Sequence, residues 1–329
     1  MPVDCGVPVV CVGLTTLDVV QRVDGPLVRG VKSVSSTVEL AAGGPAANAA
    51  VACAALGVRV ALVTAIGSGA PAAVVRDDLV RQGVLIADCA DDTWQVPVAS
   101  VLVEVDGTRT VVSPGARASD VRPTREALAL LGSAAVVLID GHHPALAEAA
   151  LAGDAVVVLD AGSPKPHAEA WLPRVDVLAA SADYADGLGL SPGEVIDHGL
   201  RAGCRAVVVT QGAGDALWAD EHGRGRLAPP PVEAVDTNGA GDAFHGALVA
   251  RLVRGDGLRD AVARAVEVAS LRVSVAGARG WMAGLGRSAG PGSNEAAPSV
   301  PSVSVAGIAR NSTRSSGHVM GLPGGQVSR

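Results

Sequence analysis

Aromatic residues make up only 2% of this 329-residue chain: one Tyr, one Phe and four Trp. A surface that stacks nucleic-acid bases on rings therefore has little to draw on. The chain also lacks a basic excess. Its formal net charge is −7, so the cationic stripe that a phosphate backbone requires is not expected, and no nucleic-acid partner is. Cysteines are few: Cys5, Cys11, Cys53, Cys89 and Cys204. Their odd number and the lack of any C-x-x-C pair argue against a disulfide framework or a zinc site and suit a reducing cytoplasm. No run of about 18 apolar residues escapes charge, Gly or Pro, so neither a spanning helix nor a membrane partner is expected. The N-terminus carries Asp4 without a basic segment and does not read as a secretory signal. What is abundant is small and aliphatic. Hydrophobic residues reach 49%, and with so few rings Ala, Val and Leu must fill the core.

Apolar segments recur at Val9–Val12, 60–66, 134–139, 155–159, 175–178 and 206–209. Helical stretches separate several of them, among them the alanine-rich 46–56, ended by Gly57, and 72–82, ended by Gly83. Alternating β and α elements imply a parallel sheet covered by helices. Segments 19–24 and 33–40 break the alternation. So does the Asp106-Gly107 hairpin signal between 100–105 and 108–112. Together they would form a small second sheet. From about residue 289 Gly, Ser and Pro dominate without period, so 1–288 reads as one domain and 289–329 as a disordered tail.

The chemistry concentrates in Asp236-Thr237-Asn238-Gly239-Ala240-Gly241-Asp242-Ala243-Phe244. Small residues open an apolar helix, where unpaired amides and the helix dipole make an anion site. Asp242 follows in the first turn. A carboxylate beside an anion hole suits a group that takes a proton while the hole, Gly239, Ala240 and Gly241, steadies a transferring charge. A helix N-terminus lowers a carboxylate's pKa, so Asp242 is expected to be a weak base. Upstream, Gly43-Gly44-Pro45-Ala46-Ala47-Asn48 and the Gly13-x-x-x-x-Asp18 segment complete a set. In order and spacing the three motifs resemble the signatures of the ribokinase-like (PfkB) carbohydrate kinases, and the likeness runs from about Val9 to about Gly280.

That resemblance implies an α/β, three-layer α/β/α ribokinase-like fold with a mostly parallel central sheet. The strands within roughly 15–40 and 98–113 would form a lid over the sugar and the surface of a homodimer. It implies ATP and Mg²⁺, with K⁺ a further candidate. Asp18, Gly43, Gly44 and Asn48 would hold sugar hydroxyls. Arg109 resembles an arginine near the substrate in ketohexokinase-like and sulfofructose kinase-like members, and Asp140 ends a strand where α/β folds place ligand groups. Thr210 and Gly212 would lie along the nucleotide, with Gly277 closing the adenine and cation loop. Two departures stand out. Pro45 occupies a position often Lys or Gly, which suggests an altered pocket floor. Ser181 and Tyr184 replace the Asn and Glu of a motif that organises magnesium. Ketohexokinase-like members lack that motif too. The metal ligands stay open, Asp183 being a candidate. His142 and His143 point different ways and lack a third ligand, and His245 reads as packing or as support to the pocket.

Other readings compete. Residues 25–33 nearly form a phosphate loop, but Val31 separates Gly30 from Lys32. Gly67-Ser68-Gly69-Ala70-Pro71-Ala72, with Asp88 some twenty residues on, fits a dinucleotide fingerprint and an NAD-dependent oxidoreductase. A sugar-binding or regulatory protein that keeps the fold is a third reading. An adenosine-like nucleoside kinase is a fourth, but base-stacking aromatics are scarce near the sugar motifs, with Trp94 the one candidate. The sequence favours an ATP-dependent kinase acting on a hydroxyl of a small sugar, with Asp242 as base.

Overall fold

The computed structural model describes residues 6–105, 107–114 and 121–285. Asp106 and the tail expected over 289–329 lie outside them. The described residues form thirteen strands and eight α-helices, alternating through the middle of the chain. The strands are β1 (Val9–Val12), β2 (Thr16–Val23), β3 (Ser35–Gly43), β4 (Val60–Thr64), β5 (Leu85–Asp88), β6 (Val98–Val103), β7 (Arg109–Val112), β8 (Val136–Ile139), β9 (Val156–Ala161), β10 (Val177–Ser181), β11 (Ala206–Thr210), β12 (Ala216–Asp220) and β13 (Gly223–Leu227). The helices are α1 (Pro45–Ala55), α2 (Ala70–Arg81), α3 (Arg125–Ser133), α4 (Pro144–Leu151), α5 (Ala182–Leu188), α6 (Pro192–Arg201), α7 (Ala240–Leu252) and α8 (Leu258–Val273).

Nine strands form one sheet in the order β13-β12-β11-β10-β9-β8-β1-β4-β5. From β11 to β5 every pair is parallel. The β12–β13 hairpin extends the edge antiparallel. Its outer strand, Gly-Arg-Gly-Arg-Leu, is mostly exposed, and so carries no hydrophobic signal in the sequence. The central strands are buried on both faces because successive side chains enter different cores. Cys11 and Leu138 pack under α1, α7 and α8, whereas Val12 and Ile139 pack under α3 and α4. The result is the expected three-layer α/β/α arrangement. No helix among the described residues is long and apolar enough to cross a membrane.

The remaining strands form the small sheet, ordered β3-β2-β6-β7. β2 pairs antiparallel with β3 and parallel with β6. Val20, Val101 and Val103 make a minor core on one face. Glu39 on that side accepts the Ala278 amide at 3.1 Å, while its neighbours Val38 and Leu40 turn to solvent at 61% and 51% exposure. Val112 on β7 is also exposed.

Scarcity of rings shapes the helix packing. Gly246 of α7 comes so close to α1 that an added Cβ would stand 2.4 Å from the Ala49 carbonyl and 2.6 Å from the Ala52 side chain. The thiol of Cys53 donates to the Gly246 carbonyl at 3.1 Å. Alanines and one glycine thus bring the N-terminal turns of α1 and α7 side by side.

Candidate active site

α1 starts directly after β3, with Gly44 as its N-cap and Pro45 in the first turn, where a missing N–H costs nothing. α7 starts at Gly239, whose left-handed φ of 71° turns the chain into the helix. With the two helix starts adjacent, Asn48 Nδ2 donates to Asp242 Oδ2 at 2.8 Å. The first and last sequence motifs meet in this bond, 194 residues apart.

Asp18 projects from β2 toward the same cleft, which it lines with Asn48, Asn238, Gly239, Arg272 and Arg279. Thr16 donates to its Oδ1 at 2.6 Å. Gly43 has no space for a side chain, because a Cβ there would fall 2.2 Å from the Asp18 carboxylate. Burial pushes Asp18 above its ordinary pKa, opposed by the Thr16 hydroxyl and the Arg279 charge. Trp281 seals the cleft at 3% exposure, its indole donating to the Ala278 carbonyl at 3.2 Å.

Asp242 departs from expectation. It is pushed up to about 7, first by loss of hydration and then by the nearby Asp160 carboxylate; the Asn48 amide and His245 oppose the shift. The dipole of α7 does not dominate, because desolvation and a like charge outweigh a partial charge worth a fraction of a unit. Asp242 is therefore a far better base near neutral pH than its place on the helix suggests.

Beneath it, Asp160 at the end of β9 lies 3.1 Å from His245 Nδ1, both almost fully buried. Burial, the largest influence, would raise Asp160, but His245 together with Lys165 and His142 outweighs it and the net shift is downward. His245 shifts upward, as Asp160 overcomes its own desolvation. His245 thus supports the site from below. Asp160 escaped the sequence reading, although an acid at the carboxyl end of a parallel strand is a usable signal.

Asp236 anchors the loop before α7. It is buried and accepts from Arg22 Nη2 at 2.7 Å, from the Asn238 amide at 3.0 Å and from the Gly277 amide at 3.0 Å. Arg272 Nη2 stands 3.7 Å away. Arg22 belongs to β2, so this ion pair ties the small sheet to the loop. Arg109 on β7 adds a second tie, donating to Asn238 Oδ1 at 3.3 Å. Arg22, Arg272 and Arg279 were not among the sequence candidates.

The other candidates fall elsewhere. Asp140 is buried, and its carboxylate pins the amides of Leu14, Ala46 and His142 at 2.8, 3.2 and 2.9 Å. It builds the turn around Gly13 and the start of α1 instead of lining the cleft. Thr210 ends β11 and Gly212 follows in the next turn, at the carboxyl edge of the sheet. Gly277 meets Asp236 and lies under Glu39, which a Cβ would approach to 2.8 Å. Ser181 caps α5, and Tyr184 donates to Glu169 at 2.6 Å. Trp94 packs edge-on against His143 and donates to the Ala65 carbonyl, away from the cleft. Asp88 accepts the amides of Ile66, Gly67 and Ala90 and pairs with Arg76, which leaves it poorly placed to hold a ribose. No cluster of three or more His, Cys, Asp or Glu side chains able to hold a metal occurs among the described residues.

Comparison with known proteins gives a consistent answer. The profile described as pfkB family carbohydrate kinase matches residues 8–282. A ribokinase of Bacillus subtilis is 25% identical over 281 residues, spanning 83% of this chain and 95% of that one. A ketohexokinase of Mus musculus is 25% identical over 291 residues, spanning 82% and 97%. Equal likeness to both leaves the expected ketohexokinase-like branch unresolved. Among solved structures, Arabidopsis thaliana ribokinase complexed with ribose and ATP superimposes with a TM-score of 0.69 at 22% identity, covering 82% of this chain and 93% of that one. Thermotoga maritima ribokinase does so with a TM-score of 0.69 at 21% identity, covering 84% and 95%. These two likenesses speak to the fold.

Proposed function

This chain belongs to the pfkB family of carbohydrate kinases, and on that premise we propose that it transfers the γ-phosphoryl group of ATP to a hydroxyl of a small neutral sugar. The carrying observation is the Asn48–Asp242 bond, which sets a near-neutral base against a cleft lined by hydroxyl-binding groups. Asp18 accepts from sugar hydroxyls, and Asn48 can both donate and accept. Gly43 leaves room for the Asp18 carboxylate to stand where the sugar binds. Asp242 takes the proton of the attacking hydroxyl as the sugar oxygen bonds to the γ-phosphorus, the bond to the β,γ-bridging oxygen breaks and ADP leaves. The amides at the start of α7, Gly239, Ala240 and Gly241, are assigned to the migrating charge, the Ala240 amide giving up its long 3.4 Å bond to the Thr237 carbonyl as it turns to the phosphoryl group. Thr210, Gly212 and the Gly277 loop are assigned to the nucleotide side.

Mg²⁺ in such reactions is held mainly by the nucleotide phosphates with one or two carboxylates, so a preformed protein cage is not required. Its role is to neutralise phosphate charge. K⁺ stays a further candidate, assigned with the Gly277 loop, whose amide donates to Asp236 at 3.0 Å. The small sheet serves as the lid. Its apolar outer face, Val38, Leu40 and Val112, supports a homodimer through it. Cytoplasmic action fits four free, buried cysteines. A nucleoside is disfavoured because the one aromatic ring lining the cleft among the described residues, Trp281, is sealed.

The test is ADP release over ketoses, aldoses, sugar phosphates and nucleosides. Release with a neutral sugar supports the reading. Release only with nucleosides, or ligand binding without release across the whole panel, overturns it.

A further inference from the structure

Arg279 lies two residues beyond Gly277, the last of the sequence candidates, and its guanidinium joins β3, α2 and α1 beside the cleft. Nη2 donates to the Ala42 carbonyl at 2.7 Å and to Asp78 Oδ2 at 2.8 Å. Asp78 is a buried acid on α2 that the proposed reaction does not use, and it also accepts the Ala42 amide at 2.9 Å. Both backbone groups of Ala42, next to Gly43, are therefore fixed by this pair. Nη1 donates to Asn48 Oδ1 at 3.3 Å.

We infer that Arg279 is a positioning residue for phosphoryl transfer, acting on Asp242 through the side-chain amide of Asn48. An amide has one accepting and one donating end. A guanidinium only donates, so it can face only the oxygen of Asn48. That leaves the nitrogen turned to Asp242, the 2.8 Å contact described above. Without Arg279 the amide could rotate and set its oxygen against the carboxylate. The run Asp78–Arg279–Asn48–Asp242 thus fixes the orientation of the base from a helix that does not touch the cleft. Arginine suits the task because its planar fork reaches three acceptors at fixed angles, which an ammonium cannot do.

The inference rests on Asp242 being the base, and the experiment separates the two. Arg279→Met is expected to lower kcat roughly 10- to 100-fold, the worth of one hydrogen bond to a charged group. In an Asn48→Ala background the same change should cost almost nothing further, since the route to Asp242 is already cut. The acid limb of the kcat/KM profile should move to higher pH, because the Asn48 donation that holds Asp242 down is lost. The charges facing Asp242 that remain in place are Asp160 from β9, His245 from α7, Asp18 from β2 and Arg272 from α8. Arg279→Lys should restore kcat only in part. Additive losses in the double variant, an unmoved acid limb or full rescue by lysine would each overturn the role. If Arg279→Met does not fold, Asp78→Asn is read by the first two criteria, the double variant with Asn48→Ala and the acid limb. Full activity of Asp242→Asn would instead remove the base assignment itself.

Discussion

At the residue scale the site is a balance of buried charge, and Asp242 carries the clearest consequence. Its raised pKa means that the ionised, active form grows as pH rises, so kcat/KM should climb through about pH 7. Asp242→Asn should lose on the order of 10²–10⁴ in kcat, the usual size of an acid–base contribution. The same change should stabilise the protein, and the sign follows from linkage. A carboxyl whose folded pKa lies above its unfolded value adds stability that is complete below the unfolded value and is lost as pH rises through the folded one. The variant escapes that loss. Its melting temperature should exceed that of the parent at pH 8, with the gap closing as pH falls toward 4; equal melting at pH 8 would contradict the burial argument. Asp18, Asn48 and Asp242 were legible in the sequence because each sits in a contiguous motif with its own helix or strand start. Arg22 and Arg279 were not, because their partners lie more than two hundred residues away and nothing local marks them. The basicity of Asp242 was misjudged for a related reason: the helix start is local, whereas Asp160 is brought in by the fold.

At the scale of elements, the approach of α1 to α7 decides whether the two motifs meet. Gly246→Val changes no cleft residue itself but drives side-chain atoms into the Ala49 carbonyl and Ala52. Overpacking of this kind typically costs about 1–3 kcal/mol. We expect a lower melting temperature together with a fall in kcat, since even small misplacement of a catalytic group is costly. Unchanged turnover would mean that the helix spacing does not govern the Asn48–Asp242 bond. The small sheet offers a second case. Arg22→Met removes the ion pair joining β2 to Asp236 and should raise KM for the sugar more than it lowers kcat, as measured by initial rates. The strands of the small sheet were visible as breaks in the β/α alternation, and the central strands as apolar runs. The β12–β13 edge was not, since an exposed, arginine-rich hairpin presents no periodic apolar face.

For the whole molecule, the fold was legible because parallel strands buried on both faces must be continuously apolar, whereas assembly has no such signature. If the outer face of the lid joins two copies, Val38→Asp with Leu40→Lys should convert a dimer to a monomer by light scattering with little change in melting temperature. A parent protein that is already monomeric would refute the dimer. The scarcity of rings has one more consequence, and it is optical. With only four indoles in the chain, and Trp281 sealed against the cleft beside Arg279, its emission is a built-in gauge of what enters there. Filling the cleft with sugar changes the polarity around that indole, so a titration followed by intrinsic fluorescence can report occupancy without a label or a coupled assay.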